Sequence, residues 1–288
     1  MIIGSHSATY RAKRFFGKFS VIGRGFEVLA MHLTFGIRMV AGVPIALKRY
    51  RKIIMREVSD VSFGSTAILS GGGTIGVVIA MSGVAAMLLG IELFRGLELL
   101  GFTALSGMVS AIANTQGVAP IVAAIALAAK VGTGFTAQLG AMRISEEIDA
   151  LDTLGVNSTI FLATTRLIAM VVAIIPVYMV GLLSAYLTTR FTVVVLRGES
   201  GGTYDYYFQQ SLTPSALASS ITMALVFAVF VAVIHCSYGY HASGGPEGVG
   251  RAAGHALRTS ILVIGMSAVV LTFGLFGITP AVPGMGIE

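Results

Sequence analysis

Residues 61–91 read VSFGSTAILSGGGTIGVVIAMSGVAAMLLGI, a run without one charged side chain. A helix rises about 1.5 Å per residue, and roughly 20 apolar residues cross a hydrocarbon core. The run is therefore long enough to be a first membrane span. The pattern recurs downstream. Leu99 to Ala129 is closed by Lys130, and small and apolar residues continue to Met142. That gives a long second span, 103–142, tilted or broken near Gly132 and Gly134. Further spans are expected at 159–189, 211–240 and 256–280, with Pro280 to Glu288 as a short exposed tail. The expected fold class is all-α integral membrane: an N-terminal interfacial amphipathic helix, five transmembrane helices, and a short helix between spans two and three.

Composition agrees. The 288 residues are 55% hydrophobic and 11% charged, where a soluble domain carries about a quarter charged residues; mean hydropathy is +0.87. Net charge is +6, yet eleven of the nineteen Lys and Arg precede residue 57. The basic excess belongs to one arm and reads as positive-inside charge beside anionic lipid, which argues against nucleic acid as a partner. Residues 1–60 thus form a basic cytoplasmic arm and 61–288 the membrane domain. Five spans place the termini on opposite sides, N-terminus in the cytoplasm and C-terminus outside. The later loops are balanced, with Arg143, Arg251 and Arg258 inside and Arg95, Arg190 and Arg197 outside, so orientation rests on the arm. Charges recurring from Arg11 through Arg56 argue against a cleaved signal peptide. Cys236, the single cysteine, excludes an intrachain disulfide and a thiolate cluster.

Within the arm, Phe26, Leu29, Ala30, Leu33, Ile37 and Val40 share one helical face, with Arg24, Glu27 and Arg38 off it. A central charge costs roughly 2.5–3.5 kcal/mol on the insertion scale, so this helix is expected to lie in the interface rather than span. After Pro44, Lys48, Arg49, Arg51, Lys52 and Arg56 alternate with Tyr50, Ile53, Ile54 and Met55, a pattern for the membrane surface.

Nucleotide motifs are absent in any usable form. Gly71-Gly72-Gly73-Thr74-Ile75-Gly76 has the G-x-G-x-x-G spacing but lies inside an apolar span, where glycines serve helix packing. The only Gly-Lys pair, Gly17-Lys18, is followed by Phe19, so no P-loop is present and the chain cannot supply an ATPase. The segment Arg143 to Gly155 reads as a short amphipathic helix. Ser145 is placed to cap it, Glu146 and Glu147 complement its positive end, and Gly155 suits the left-handed C-terminal position. Ile144, Ile148 and Leu151 share a face, and Asp149 and Asp152 are expected to be exposed. Such a helix suits docking of a soluble partner; a helix lying on the bilayer is the alternative.

Ala119-Pro120-Ile121-Val122-Ala123-Ala124, the stretch Lys130 to Arg143, the helix above, Gly239-Tyr240-His241-Ala242 and Gly248-Val249-Gly250-Arg251-Ala252 resemble the MlaE/YrbE permease family. The style of Ser145 to Gly155 and of His235 to Tyr240 looks most like B-type YrbE proteins of actinobacterial Mce lipid-import systems. The resemblance implies a permease subunit of an ATP-driven transporter of lipid, whether fatty acid, mycolic-type lipid or sterol, in a bacterial plasma membrane. It implies a second YrbE-type permease in a heterodimer, a cytoplasmic ABC ATPase carrying ATP and Mg, and MCE-domain proteins; no catalytic residue, cofactor or metal is expected in this chain. It assigns Ser145, Glu146, Glu147, Ile148, Asp149, Leu151 and Asp152 to a coupling helix that docks the ATPase. Where the family pattern has Arg-Glu before the proline of span two, Gln116-Gly117 stands here, which puts any headgroup role of that pair in doubt; the basic residue ten positions after the proline is Lys130.

An ionisable group in a span is a functional candidate by default. The Lys130 ammonium either meets an acidic lipid headgroup, or snorkels to the interface or pairs with Glu146 or Glu147. His235 and His241, six apart, do not share a helix face and make a poor metal pair; His235 reads as a core residue. An ATP-independent secondary transporter or channel is the competing function and predicts several intramembrane acids. A lipid-modifying enzyme predicts a nucleophile with its base. The uncharged runs contain neither.

Overall fold

The computed structural model describes residues 30–62 and 73–277, and its regular elements are all helical. Helices α1 (Ala30–Ala41) and α2 (Val43–Arg49) meet at 45°. Pro44 lies in the first turn of α2, where its missing N–H costs nothing. A Cβ on Gly42 at the bend would lie 2.9 Å from Thr164 Oγ1, so the elbow presses on span three, where Thr164 also donates to the Met39 carbonyl at 3.0 Å. The face of α1 against the bundle is Phe35 and Met39, whereas Leu33, Ile37 and Val40 point outward. The helix is apolar on two sides, one for protein and one for lipid, which a single-stripe reading of its sequence does not anticipate. Phe26 and Leu29 of that stripe lie outside the described residues.

The surface helix α3 (Arg51–Ser62) buries Ile54, Val61 and Ser62. Span one, α4, runs Gly73–Leu100 rather than 61–91. Its start is displaced because Val61 and Ser62 still belong to α3; residues 63–72, with Gly71 and Gly72, lie outside the description. Its end is displaced because the helix continues past Ile91 through Glu92 and Arg95, an exposed pair one turn apart at 3.6 Å, which water or headgroups can solvate without ending the helix.

Span two, α5 (Thr103–Ile144), is continuous over 42 residues. The expected break is replaced by two wide π-helical turns, Asn114–Val118 and Ala128–Gly132. Pro120 cannot donate to the carbonyl of Gln116, and the first wide turn falls at that gap. A seven-residue helix, α6 (Glu147–Thr153), follows. Span three, α7, extends over Thr159–Leu196, beyond the expected 189. An unforeseen helix, α8 (Gly201–Ser211), is capped by Ser200. Thr213 caps span four, α9 (Pro214–Tyr240). Span five, α10, occupies Gly245–Phe276 and so starts eleven residues before the expected 256; Gly244, at φ +88°, supplies the left-handed turn that reverses the chain into it.

Spans two and three form the centre of the bundle, while α4 and α10 keep wide apolar faces exposed, including Val84 and Leu88 on one and Leu262, Met266 and Val270 on the other. Small residues bring helices together. Ser82, Ala86 and Gly90 of α4 recur every four residues and are buried, as are Gly181, Ala185 and Thr189 of α7. A Cβ on Gly181 would lie 2.7 Å from Val78. Between α5 and α9 the approach is equally close: a Cβ on Gly239 would lie 2.8 Å from the Thr136 carbonyl oxygen. Gly239→Ala is therefore expected to lower the detergent-solubilised protein's melting temperature, with a cost of about 1–3 kcal/mol from overpacking. Gly250→Ala, with no atom within 4 Å of the new methyl, is expected to be neutral or slightly stabilising by the same assay.

Candidate functional site

The short helix α6 lies at one end of the bundle, between spans two and three. Span two stops at Ser145, and Glu146 takes φ +61°, the only left-handed non-glycine among the described residues. That turn redirects the chain, so Ser145 does not cap α6 as its sequence position suggests. Its hydroxyl instead reaches Glu147 Oε1 at 3.0 Å or the Ala141 carbonyl at 3.1 Å. Gly155 does take the left-handed position, at φ +74°.

Contacts divide the helix into a tethered side and a free side. Ile148 is fully buried in the main core and Leu151 packs beside it. Ile144, expected on that face, belongs to span two and is exposed. Asp149 accepts from Arg143 Nη1 at 2.6 Å, and Asp152 Oδ1 accepts from the Ser158 amide at 3.1 Å; both acids, though exposed, are engaged within the chain. Ser158 in turn bonds the Tyr240 hydroxyl at 2.8 Å, joining this end of the bundle to span four. Glu146, Glu147, Ala150, Thr153 and Leu154 are exposed as well, Glu147 being engaged only by the neighbouring Ser145 hydroxyl. Leu154 is 77% exposed; its place outside the apolar stripe gave no sign that it would stand at the tip.

Lys130 lies in the second wide turn of span two, exposed, and forms no ion pair among the described residues; Glu146 and Glu147 are not its partners. His235 is fully buried, its Nδ1 2.9 Å from Thr136 Oγ1, while His241 Nδ1 contacts the Ser237 carbonyl at 2.8 Å. No group of three His, Cys, Asp or Glu able to hold a metal gathers among the described residues.

Two arrangements escaped the sequence reading. Arg166, 6% exposed near the start of α7, donates to the Leu162 carbonyl at 2.9 Å and Gln138 Oε1 at 3.2 Å and lies 5.5 Å from the Phe135 ring. It has no carboxylate partner among the described residues, so amide oxygens and a π face carry the work of stabilising a buried cation. Its signal was present, a charge within an apolar span. The other is a polar network at the first wide turn. Asn114 Nδ2 donates to Thr189 Oγ1 at 3.1 Å, Ser110 meets the Tyr204 hydroxyl at 2.7 Å, and Thr115 meets the Tyr186 hydroxyl. Ser220 receives the Tyr178 hydroxyl at 2.7 Å and donates to the Thr115 carbonyl. Spans two, three and four are thereby joined beside Gln116-Gly117, where the resembled family would have an Arg-Glu pair. Next to the network, the Arg190 guanidinium grips Asp205 of α8 through two bonds of 2.8 Å and holds its carboxyl below the usual carboxylate range.

Five long apolar helices and a tethered short helix between the second and third define a multi-pass helical membrane protein. The family model described as Permease MlaE matches residues 63–273, and the chain belongs to that family. It is 28% identical over 216 residues to a probable ABC transporter permease protein of Synechocystis, covering 70% of this chain and 77% of that one. It is 25% identical over 223 residues to a probable ABC transporter permease protein of Rickettsia bellii, covering 77% and 83%. With the chloroplastic protein trigalactosyldiacylglycerol 1 of Arabidopsis thaliana it shares 29% over 211 residues, 72% of this chain and 59% of that longer one. An ABC permease implies a partner ATPase, and the family implies lipid transport.

Ser220→Ala strands the Tyr178 hydroxyl and is expected to cost roughly 0.6–2 kcal/mol, the range for hydrogen bonds between membrane helices, measured by thermal unfolding in detergent. For Asp205 the sign follows from its lowered pKa: the pair's stabilisation is complete above the ordinary carboxylate value and fades as pH falls through the folded one. Between pH 7 and pH 3 the wild-type melting temperature is expected to fall slightly more than that of Asp205→Asn, slightly because the pair is exposed.

Proposed function

We propose that the chain is the membrane permease subunit of an ATP-driven lipid importer and that a separate ATPase, carrying ATP and Mg, docks on α6. The observation that carries this is the division of α6 into a tethered and a free side. Ile148 buried in the core and Asp149 held by Arg143 make the helix move with span two, while Glu146, Glu147, Ala150, Thr153 and Leu154 remain available to a partner. A short helix with exposed acids at its start and an exposed apolar residue at its end is a sound docking element, because burial of the apolar residue supplies affinity and the carboxylates supply orientation. Within the residues first assigned to docking, Ile148, Leu151, Asp149 and Asp152 then transmit motion, and Ser145, Glu146 and Glu147 lie at the contact.

The exposed faces of α4 and α10 suit a second permease, here a YrbE-type paralogue, enclosing an apolar path for fatty acid, mycolic-type lipid or sterol. MCE-domain proteins pass that lipid on outside the membrane. The chain lies in a bacterial plasma membrane with its basic arm in the cytoplasm, and Lys130 of the second span, without an ion-pair partner among the described residues, contacts the lipid headgroup. Resemblance to the actinobacterial YrbE proteins supports import, the paralogous partner and the MCE proteins; the names of the ABC permease relatives support the ATPase.

The test is affinity purification of the tagged full chain in mild detergent, comparing wild type with Glu146→Lys plus Leu154→Asp. A P-loop ATPase is expected to co-purify with wild type and to be lost from the variant, whose melting temperature stays unchanged because neither residue is buried. An ATPase retained by the folded variant removes α6 as its dock. A chain that purifies alone and moves lipid in liposomes without ATP is a secondary transporter.

A further inference from the structure

The join between α2 and α3 carries Lys48, Arg49, Arg51, Lys52 and Arg56 in one short stretch. Val43, Ala46, Tyr50, Ile54 and Val58 recur among them every three or four residues, so a helix places these apolar groups on one face. That face lies on the foot of span three. Ala46 and Ile54 are buried with Ile168, and Val43, Tyr50 and Val58 pack beside them with Ile160. The Tyr50 ring meets Phe161 edge-on at 5.2 Å. The Tyr50 amide donates to the Ala46 carbonyl at 2.8 Å and the Ile54 amide to the Tyr50 carbonyl at 3.0 Å. Helical register thus survives the join, and the two helices present their faces as one.

With one face spent on span three, the opposite face is fixed outward. Ile45, Lys48, Lys52 and Met55 follow one another at spacings of three and four, with Arg56 beside them, and all are exposed. Arg49 and Arg51 flank this row, Arg49 lying 5.9 Å from the Tyr50 ring and Arg51 donating through Nε to the Leu47 carbonyl at 2.8 Å. None of the five cations forms an ion pair among the described residues. The acids of the two helices, Glu57 and Asp60, come after the last cation and leave the row uncompensated. A basic face made for water has no use for exposed Ile45, Leu47 and Met55, whereas cations mixed with apolar side chains suit the boundary between headgroups and acyl chains. The row also follows on from Leu33, Ile37 and Val40, the exposed apolar face of α1, across a bend of only 45°. Lipid covering that face brings its headgroups to the cations.

We infer that the outer face of α2 and α3 is a docking site for anionic phospholipid, whose headgroup phosphates are held by Lys48, Lys52 and Arg56 while Ile45 and Met55 enter the acyl boundary. Charge complementarity selects a phosphate-bearing occupant, and continuity with the apolar face of α1 selects a membrane lipid over an anion from solution. The site goes beyond the transport reading. It rests on the membrane placement of the bundle, and on neither the ATPase nor Lys130 of span two. Because the seam with Ile160, Phe161 and Ile168 ties these helices to span three, lipid that binds the folded arrangement stabilises the whole bundle.

The experiment titrates the purified full chain, in a neutral detergent, with dioleoyl phosphatidylglycerol or dioleoyl phosphatidylcholine. Bound lipid is read by native mass spectrometry and the melting temperature is followed alongside. Phosphatidylglycerol is expected to bind and to raise the melting temperature, and phosphatidylcholine to do neither. Lys48→Gln plus Lys52→Gln plus Arg56→Gln is expected to weaken phosphatidylglycerol binding on the order of tenfold and to remove its effect on melting. The lipid-free melting temperature of this variant stays at the wild-type value, because all three side chains are exposed. Lys52→Gln alone, with a smaller loss, reads the same contact should the triple variant fail to fold. Arg95→Gln plus Arg251→Gln plus Arg258→Gln removes as much charge from other exposed positions and is expected to bind like wild type. Equal binding of phosphatidylcholine, a folded triple variant that still binds phosphatidylglycerol like wild type, or an equal loss in the second triple variant would overturn the inference. So would inorganic phosphate that raises the melting temperature as the lipid does, which marks a site for anions from solution. A triple variant that keeps its lipid but loses a co-purifying acidic protein makes this face a protein dock instead. The readout uses neither ATP nor an ATPase, so its failure leaves the transport reading standing, and loss of the transport reading leaves this site testable.

Discussion

Hydrocarbon gives helices no reason to hide leucine from lipid, so what joins them is backbone approach and hydrogen bonding. In this protein the approach of α4 to α7 depends on it most. Ser82, Ala86 and Gly90 face Gly181, Ala185 and Thr189, and the Thr189 hydroxyl reaches the Ala86 carbonyl at 3.2 Å. That seam fixes span one against span three. The glycines at 132 and 239 do the same for spans two and four, where a Cβ on Gly132 would strike the His235 ring at 2.6 Å. Larger side chains at these places would separate the helices and with them the wide turns, the polar network and the support under α6.

The second constraint is that polar groups inside such a bundle must find one another. Asn114, Thr115, Tyr178, Tyr186 and Ser220 do so around the first wide turn of span two, and Arg166 does so with carbonyls and an aromatic face. The two regions lie toward opposite ends of span three, and between them the core is almost wholly apolar. At the Arg166 end, Ile148 and the Arg143–Asp149 pair tie α6 to the bundle.

The span count was legible because the signal is simple: long uncharged runs have no other stable solution in this composition. Span ends were not. Uncharged sequence from 61 to 91 conceals the boundary between α3 and the first span, and Glu92 and Arg95 continue a helix that charge alone suggested should stop. Helix α8, just before the span expected at 211–240, was not legible, because its place depends on Asp205 pairing with Arg190 of span three. The seven-residue helix after span two was legible through its acids, its apolar spacing and Gly155. Its exposed face was not, since which acids are engaged depends on Arg143 and Ser158, and the exposure of Leu154 accompanies the left-handed turn at Glu146.

By itself the sequence determined that this is a helical membrane protein with a basic arm, that it carries no nucleotide-binding loop, and which family its motifs resemble, because hydropathy, charge placement and short motifs are local properties. The tertiary structure alone decided which polar side chains inside the spans are spent on one another, which face of α6 is exposed, and that α1, α9 and α10 leave an apolar groove between them. Those are distances between residues as far apart as His32 and Ser237, and no local pattern encodes them; they follow from where small residues let the helices touch.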